Sequence, residues 1–369
     1  METDVPSSHV PEEKHKLNKT MKRTLIILNC IMLGLGNCGG PLIQRLYFLK
    51  GGKRIWFSCW LLTAGWPFLL FPLLISYAYR RSKEGPATKV WSVKPRLFLC
   101  CAFIGLLTGV DDYLAAYGVS RLPVSTSALI IATQLAFTAA FAFLLVKQKF
   151  TPFIINSIFL LSLGAVVLGF HSSTDRPAHD SNVQYYIGFF MTLGASALYG
   201  FVLPLMELTC KKAKQVITYS LVMEMQLVIS FFATAFCTVG MLINHDFAGS
   251  LSLFSSTCLS AITREAREFE LGQSRYYATL VSNAFLWQFF LLGAIGVTFL
   301  VSALLSGIVI ATLLPVTESL AVLFFHERFP VEKGISLALS LWGFLSYFYG
   351  ELQEIKKKKK EVELGSVCT

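Results

Sequence analysis

The sequence has 369 residues, 54% of them hydrophobic and only 15% charged, with a mean hydropathy of +0.59. Soluble domains carry about 25% charged residues, so a soluble globular protein is excluded. The formal charge of +10 does not call for nucleic acid, because the basic residues lie between apolar blocks and in a Lys356–Lys360 run without interleaved aromatics.

Residues 1–23 form a polar N-terminal tail without the charged, apolar, small-residue order of a cleaved signal. Apolar blocks of about 20 residues follow, the length a helix needs to cross ~30 Å of hydrocarbon. They run at roughly 24–45, 56–79, 96–119, 123–146, 152–170, 185–209, 217–243, 277–298, 301–325 and 334–350. The connection near 298–301 is very tight. Backbone exposed to lipid must be satisfied internally, so the expected fold is an all-α membrane protein of about ten transmembrane helices. Residues 24–170 form a first five-helix unit, 171–184 an extracellular connection, and 185–350 a second five-helix unit. Within the second unit, 260–271 reads as an amphipathic surface helix, and 351–369 is a basic tail.

Of the 32 Lys and Arg residues, 21 fall in alternate loops on one side, which the positive-inside bias makes cytosolic. Both termini are then cytosolic, and the Lys356–Lys360 tail can meet anionic lipid. The sequon Asn18-Lys19-Thr20 falls on that same side. The basic loop Arg45–Arg54 is external and runs against the bias.

Shifting the chain by 179 residues superposes Ile131, Ala132, Thr133 and Leu135 on Ile310, Ala311, Thr312 and Leu314. Thr138 meets Thr317, Phe150 meets Phe329, and Ser157, Leu160 and Gly164 meet Ser336, Leu339 and Gly343. A unit of five spans is odd, so its second copy enters the membrane from the opposite side. Two inverted five-helix repeats are the mark of secondary transporters, which bind near the midplane between the halves.

The stretch from Gly105 to Lys149 carries the most telling chemistry. An apolar run reaches Asp111 and Asp112, then Tyr113 and Tyr117, and the next block holds one amide, Gln134. Ionisable groups at membrane depth are costly and are kept for function. Gly105, Thr108, Gly109 and Asp112 share one helix face, whereas Asp111 is turned by ~100° from it. Geometry thus favours Asp112 for lining a cavity. The blocks also hold Glu207, Glu224 and Glu318, and every Lys or Arg falls in a loop or at a block end. A carrier of phosphorylated substrates needs a cationic partner for the phosphate. Acids without counter-charges are instead neutralised by protons, which suits a neutral or weakly basic substrate moved with a proton. Glu318, on the face of Gly307, Ala311 and Pro315, is a proton-carrier candidate beside Asp111 and Asp112, with Glu224 next. Glu207 reads as a wet residue at a block end.

An amide matches the adjacent donor amine and acceptor nitrogen of an adenine. Gln134, which shares a face with Ser127 and Thr138, joins Asn283 and Gln288 as the amides at suitable depth; an intramembrane Gln can equally bond a neighbouring helix. Trp287, one turn from Asn283, can stack on a planar base, a contact worth ~1–3 kcal/mol, as can Tyr113 and Tyr117. Gly36, Asn37, Gly39, Gly40 and Pro41 mark a hinge in the first block. The nine cysteines and His171, His179, His245 and His326 have no metal-ligand spacing, so no metal or cofactor is expected, and no nucleophile–base pair suggests an enzyme.

Several motifs carry a resemblance: Asn29-Cys30 with Cys38-Gly39-Gly40-Pro41, Gly51-Gly52-Lys53-Arg54-Ile55-Trp56, Leu122-Pro123-Val124-Ser125-Thr126-Ser127, Gln134-Leu135-Ala136-Phe137, Leu314-Pro315-Val316-Thr317-Glu318 and Gly343–Gly350. With Gly105–Asp111 they occur in order from about Met21 to Gly350, and in them the chain resembles the plant purine permease family of the drug/metabolite transporter superfamily. The resemblance implies proton-coupled import of purine bases and derivatives such as cytokinins, ten spans with cytosolic termini, and a plasma-membrane location. It favours Asp111, because similar proteins often carry an amide in place of Asp112. A carrier of organic cations or alkaloids, or an uncoupled facilitator, is the alternative that the acids also suit.

Overall fold

The computed structural model describes residues 19–52, 54–85, 90–121, 130–131, 133–148, 150–170, 182–213, 218–243, 263–325 and 331–367. Among these residues there are helices and turns and no strand. The long helices are α1 (Lys19–Leu49), α2 (Ile55–Thr63), α3 (Pro67–Glu84), α4 (Pro95–Arg121), α5 (Gln134–Val146) and α6 (Pro152–Phe170). They continue with α7 (Asn182–Lys212), α8 (Tyr219–Ile243), α9 (Gln273–Leu300), α10 (Ala303–Phe325) and α11 (Val331–Val367). Seven described stretches are long and apolar enough to cross a membrane, with α2 and the α3 residues to Ser82 counting as one. Gln134–Val146 and Pro152–Gly164 are shorter apolar helices.

Local chemistry sets the breaks. The second predicted block turns at 64–66, where Phe68 N–H bonds the Gly65 carbonyl at 3.1 Å, and Pro67 opens α3 at a position that tolerates its missing donor. A Cβ on Gly65 would run into the Ala284 carbonyl of α9, so α9 packs closely at the break. The tight connection between α9 and α10 is Val301 and Ser302, and the Ser302 hydroxyl accepts the Leu305 N–H at 3.2 Å. Lys147, with φ 53°, ends α5. The basic run of Lys356–Lys360 continues α11 without interruption to Val367.

Helix α1 lies along α9, α4 along α7 and α8, α5 along α7, and α6 along α11, while α10 contacts both α1 and α5. Lipid is as apolar as these helix faces, so association rests on close packing and on small residues. A Cβ on Gly36 would collide with the Phe290 backbone, and one on Gly293 with that of Leu33. Gly105 and Gly109 make the same allowance for α8. A Cβ on Gly164 would meet Ser336, Leu339 and Ser340, and one on Gly343 would meet Ser157, Leu160 and Leu161. The outer surface is apolar: Phe71 is 72% and Ile243 73% exposed, as expected of faces turned to lipid.

The described part of the predicted surface helix is a helical turn over 263–268, with Ala266 and Phe269 buried. It is clasped by the loop after α1. Tyr47 Oη donates to Glu265 Oε1 at 2.5 Å, Arg54 Nε stands 3.4 Å from Glu265 Oε2, and Lys50 Nζ stands 2.9 Å from Glu270. The basic loop that runs against the charge bias therefore has its acids in this segment.

Candidate functional site

Asp111 and Asp112 come from the middle of α4. Asp111 is buried, and Asp112 is half-buried. Asp111 Oδ1 and Asp112 Oδ2 are buried atoms with no hydrogen-bond partner among the described residues. The ion pairs formed by described residues do not include either carboxylate. The helix face that favours Asp112 in the sequence is occupied: Gly105 packs on Ile229 and Gly109 on Ala233 and Phe236, all of α8. Asp112 instead adjoins α2, where Cys59 Sγ donates to its carbonyl at 3.5 Å.

The other buried acids differ. Glu207 is 4% exposed, not wet as its place at a block end suggests. Its Oε1 pairs with Lys211 Nζ at 2.7 Å, and its Oε2 accepts the Ala303 N–H at 2.7 Å. Glu224 accepts the Ser92 N–H at 2.8 Å and lies 3.7 Å from Arg80. Among the described residues, cations at the helix ends thus reach two of the acids and pair with neither aspartate. Glu318 lies on α10, and its side chain is outside the described residues, as are residues 122–129 with Ser127.

Helix α9 supplies the second group. Asn283 and Gln288 are buried, and Asn283 Oδ1, both Gln288 amide atoms and Trp287 Nε1 have no described hydrogen-bond partner. An unpartnered buried polar atom costs ~1–3 kcal/mol, so these six atoms, among eight of the kind on α4 and α9, make this part of the bundle the candidate site for polar ligand atoms. Trp287 packs on Gly40 of α1 and edge-on to Phe290 at 5.3 Å.

Phe290 stacks at 6.1 Å and 28° on Tyr199 of α7, and the contacts of Gly118 with Thr192 and of Leu114 with Gly194 pair α7 antiparallel with α4, setting Tyr199 near the level of Asp111. The series Trp287, Phe290, Tyr199 links the α9 group to the aspartates. Sequence reasoning misses Tyr199 and Phe290, which have no neighbouring charge or break to set them apart.

The remaining predicted residues lie around this centre. Tyr113 stacks on Trp56 of α2 at 4.1 Å and lies 6.0 Å from Tyr117, so the two tyrosines belong to an aromatic group on the α2 side. Gln134 is half-buried at the start of α5, where its carbonyl accepts the Thr138 hydroxyl at 2.8 Å and lies against Gly200 of α7. Asn37, read as part of a hinge, ties α1 to α10. It donates to the Ile310 carbonyl at 3.3 Å, and its own carbonyl accepts the Thr317 hydroxyl at 3.4 Å. Among the described residues no three His, Cys, Asp or Glu side chains are grouped to hold a metal.

A family model for purine nucleobase transmembrane transport matches residues 24–359. Purine permease 3 of Arabidopsis thaliana is 52% identical over 92% of this chain and 94% of its own length. Purine permease 2 of the same plant is 52% identical over 94% of this chain and 98% of its own. A solved structure titled only "Crystal structure of protein" superposes with a TM-score of 0.51 over 88% of this chain and 97% of its own. At 12% identity that likeness concerns the fold alone.

Proposed function

This chain belongs to the family of purine nucleobase transmembrane transporters, and from that premise we propose that it imports adenine-like bases and purine derivatives such as cytokinins together with protons. It is a multi-pass integral membrane protein and a transporter, not an enzyme. The observation that carries the coupling is the aspartate pair: two adjacent carboxylates in the middle of an apolar helix, with no described cation beside them. A carboxylate there is costly while charged, so it takes a proton readily on one side and gives it up on the other. Glu207 and Glu224 are tied to cations and backbone N–H groups and are poorly placed to cycle; Glu318 stays a candidate from its position on α10. The amides of Asn283 and Gln288, the Trp287 indole and the half-buried Gln134 read the base, with Tyr113 and Tyr117 flanking them.

The helix pairing supports two inverted repeats of five spans each. Span one of the first repeat lies on span three of the second (α1 on α9), and span three of the first on span one of the second (α4 on α7). The glycine contacts are reciprocal: each residue that Gly164 faces lies 179 positions after one that Gly343 faces, the pattern of a twofold relation. An even number of spans keeps both termini on one side, the positive-inside bias supports the cytosol, and the plasma membrane is the expected location.

Labelled adenine taken up by cells lacking their own carrier tests this reading. Uptake should rise as external pH falls and collapse with a protonophore, and Asp111→Asn or Asp112→Asn should still exchange substrate while losing accumulation against a gradient. Uptake indifferent to both pH and protonophore would make the protein a facilitator. Because bare carboxylates also suit cations, a competitor panel with organic cations and alkaloids separates that second reading.

A further inference from the structure

We infer that Tyr199 is a substrate-specificity residue: its hydroxyl donates to a ring nitrogen of the base while the neighbouring Asp111–Asp112 pair accepts from the adjacent exocyclic amine. The inference rests on the purine-transport reading and names the edge of the base that is read.

Four observations converge on Tyr199. It is half-buried on α7, one ring face fixed by the stack on Phe290. The contacts of Gly118 with Thr192 and of Leu114 with Gly194 pair α4 and α7 antiparallel and set Tyr199 near the level of Asp111, and no hydrogen bond to a described residue engages its hydroxyl. Asp111 Oδ1 and Asp112 Oδ2 are likewise unpartnered. A carboxylate oxygen only accepts when ionised, and the phenol is a donor as well as an acceptor.

Placed beside each other, they form an acceptor–donor couple. The complement is a donor–acceptor couple on the ligand, which is an amine next to an unsubstituted ring nitrogen. Adenine has this couple, and an N6-alkylated adenine keeps one amine hydrogen and therefore keeps it. Hypoxanthine inverts it, turning a carbonyl toward the carboxylates and an N–H toward the phenol. A site built around specific hydrogen bonds discriminates strongly against a ligand that leaves them unmade. Because Phe290 holds the ring from behind, Tyr199→Phe removes the hydroxyl and keeps the stack.

The test pairs changes in the protein with changes in the ligand, with uptake normalised to the amount of protein at the membrane. On the native protein, 1-deazaadenine or 7-deazaadenine, each lacking one ring nitrogen beside the amine, should compete about tenfold less well than adenine, the equivalent of ~1.4 kcal/mol. Tyr199→Phe should raise the KM for adenine by about the same factor with little change in maximal rate. It should also erase the penalty for that deaza analogue and narrow the preference for adenine over hypoxanthine.

If both deaza analogues compete as well as adenine on the native protein, the inference is overturned while purine transport stands. It is equally overturned if Tyr199→Phe keeps the native KM and discrimination and only Tyr199→Leu loses activity, since Tyr199 then serves packing alone. Should Tyr199→Phe fail to reach the membrane, the deaza comparison on the native protein decides. A native protein that neither transports nor binds adenine would remove the purine reading itself, and this inference with it.

Discussion

Asn283 and Gln288 bury amide atoms on α9 that no described residue engages. Such groups are tolerated where a ligand completes them. Asn283→Ala and Gln288→Ala should therefore weaken adenine binding by about 1–3 kcal/mol, the cost of leaving the ligand's partner atom unpaired. The KM for uptake and the competition constant for unlabelled adenine measure this, and native values in both variants would take the amides out of the site. The aspartate pair is legible in the sequence because a charge inside an apolar run is conspicuous. Tyr199 is not, since one of 13 tyrosines in an aromatic-rich chain acquires its meaning only when α7 is laid against α4 and α9. The helix face that favours Asp112 in the sequence is open to two readings. Small residues on one face mark a cavity or a close helix contact equally well, and here α8 fills the groove.

Between elements, the bond from Glu207 to the Ala303 N–H fastens the last turns of α7 to the start of α10. Ala303 is fully buried, so removing its acceptor strands a donor. Glu207→Ala should destabilise the purified protein by about 1–3 kcal/mol, read as a lower thermal midpoint in detergent. Glu207→Gln keeps an oxygen for Ala303 and gives up only the pair with Lys211, whose side chain is 57% exposed and whose attraction is therefore screened. It should recover most of the loss; equal losses in the two variants would assign the effect to the charge. Hydropathy places the spans but is blind to this contact, because position near the end of an apolar block predicts water where α10 in fact closes over the acid. The break at 64–66 is half legible: Gly65 and Pro67 are local signals, whereas the α9 backbone packed on Gly65 is not in the local sequence. The clasp of Tyr47, Arg54 and Glu265 shows the reverse. The basic loop after α1 looks anomalous in a charge count, and the anomaly points to the acidic segment that neutralises it.

At the scale of the whole molecule, the order of the spans follows from composition, but which span lies on which does not. Apolar faces in lipid prefer no partner over another; small residues choose, and their partners are far apart in sequence. The 179-residue match supplies part of what composition lacks, because a twofold relation between halves predicts reciprocal contacts such as those of Gly164 and Gly343. It also makes a prediction about sidedness that a parallel duplication does not. The connection at 147–151, after α5, and the one at 326–330, after α10, are equivalent under the shift, since Phe150 corresponds to Phe329. Five spans per unit put equivalent connections on opposite faces of the membrane. Lys147 and Lys149 belong to the side richer in basic residues, and Arg328 to the other. A tag inserted within 147–151 should be reached by impermeant antibody only after permeabilisation, as should tags at Met1 and Thr369, whereas one within 326–330 should be reached on intact cells. Both loop tags on the same face would rule out inversion, and the midplane site between the halves would then lose its structural basis.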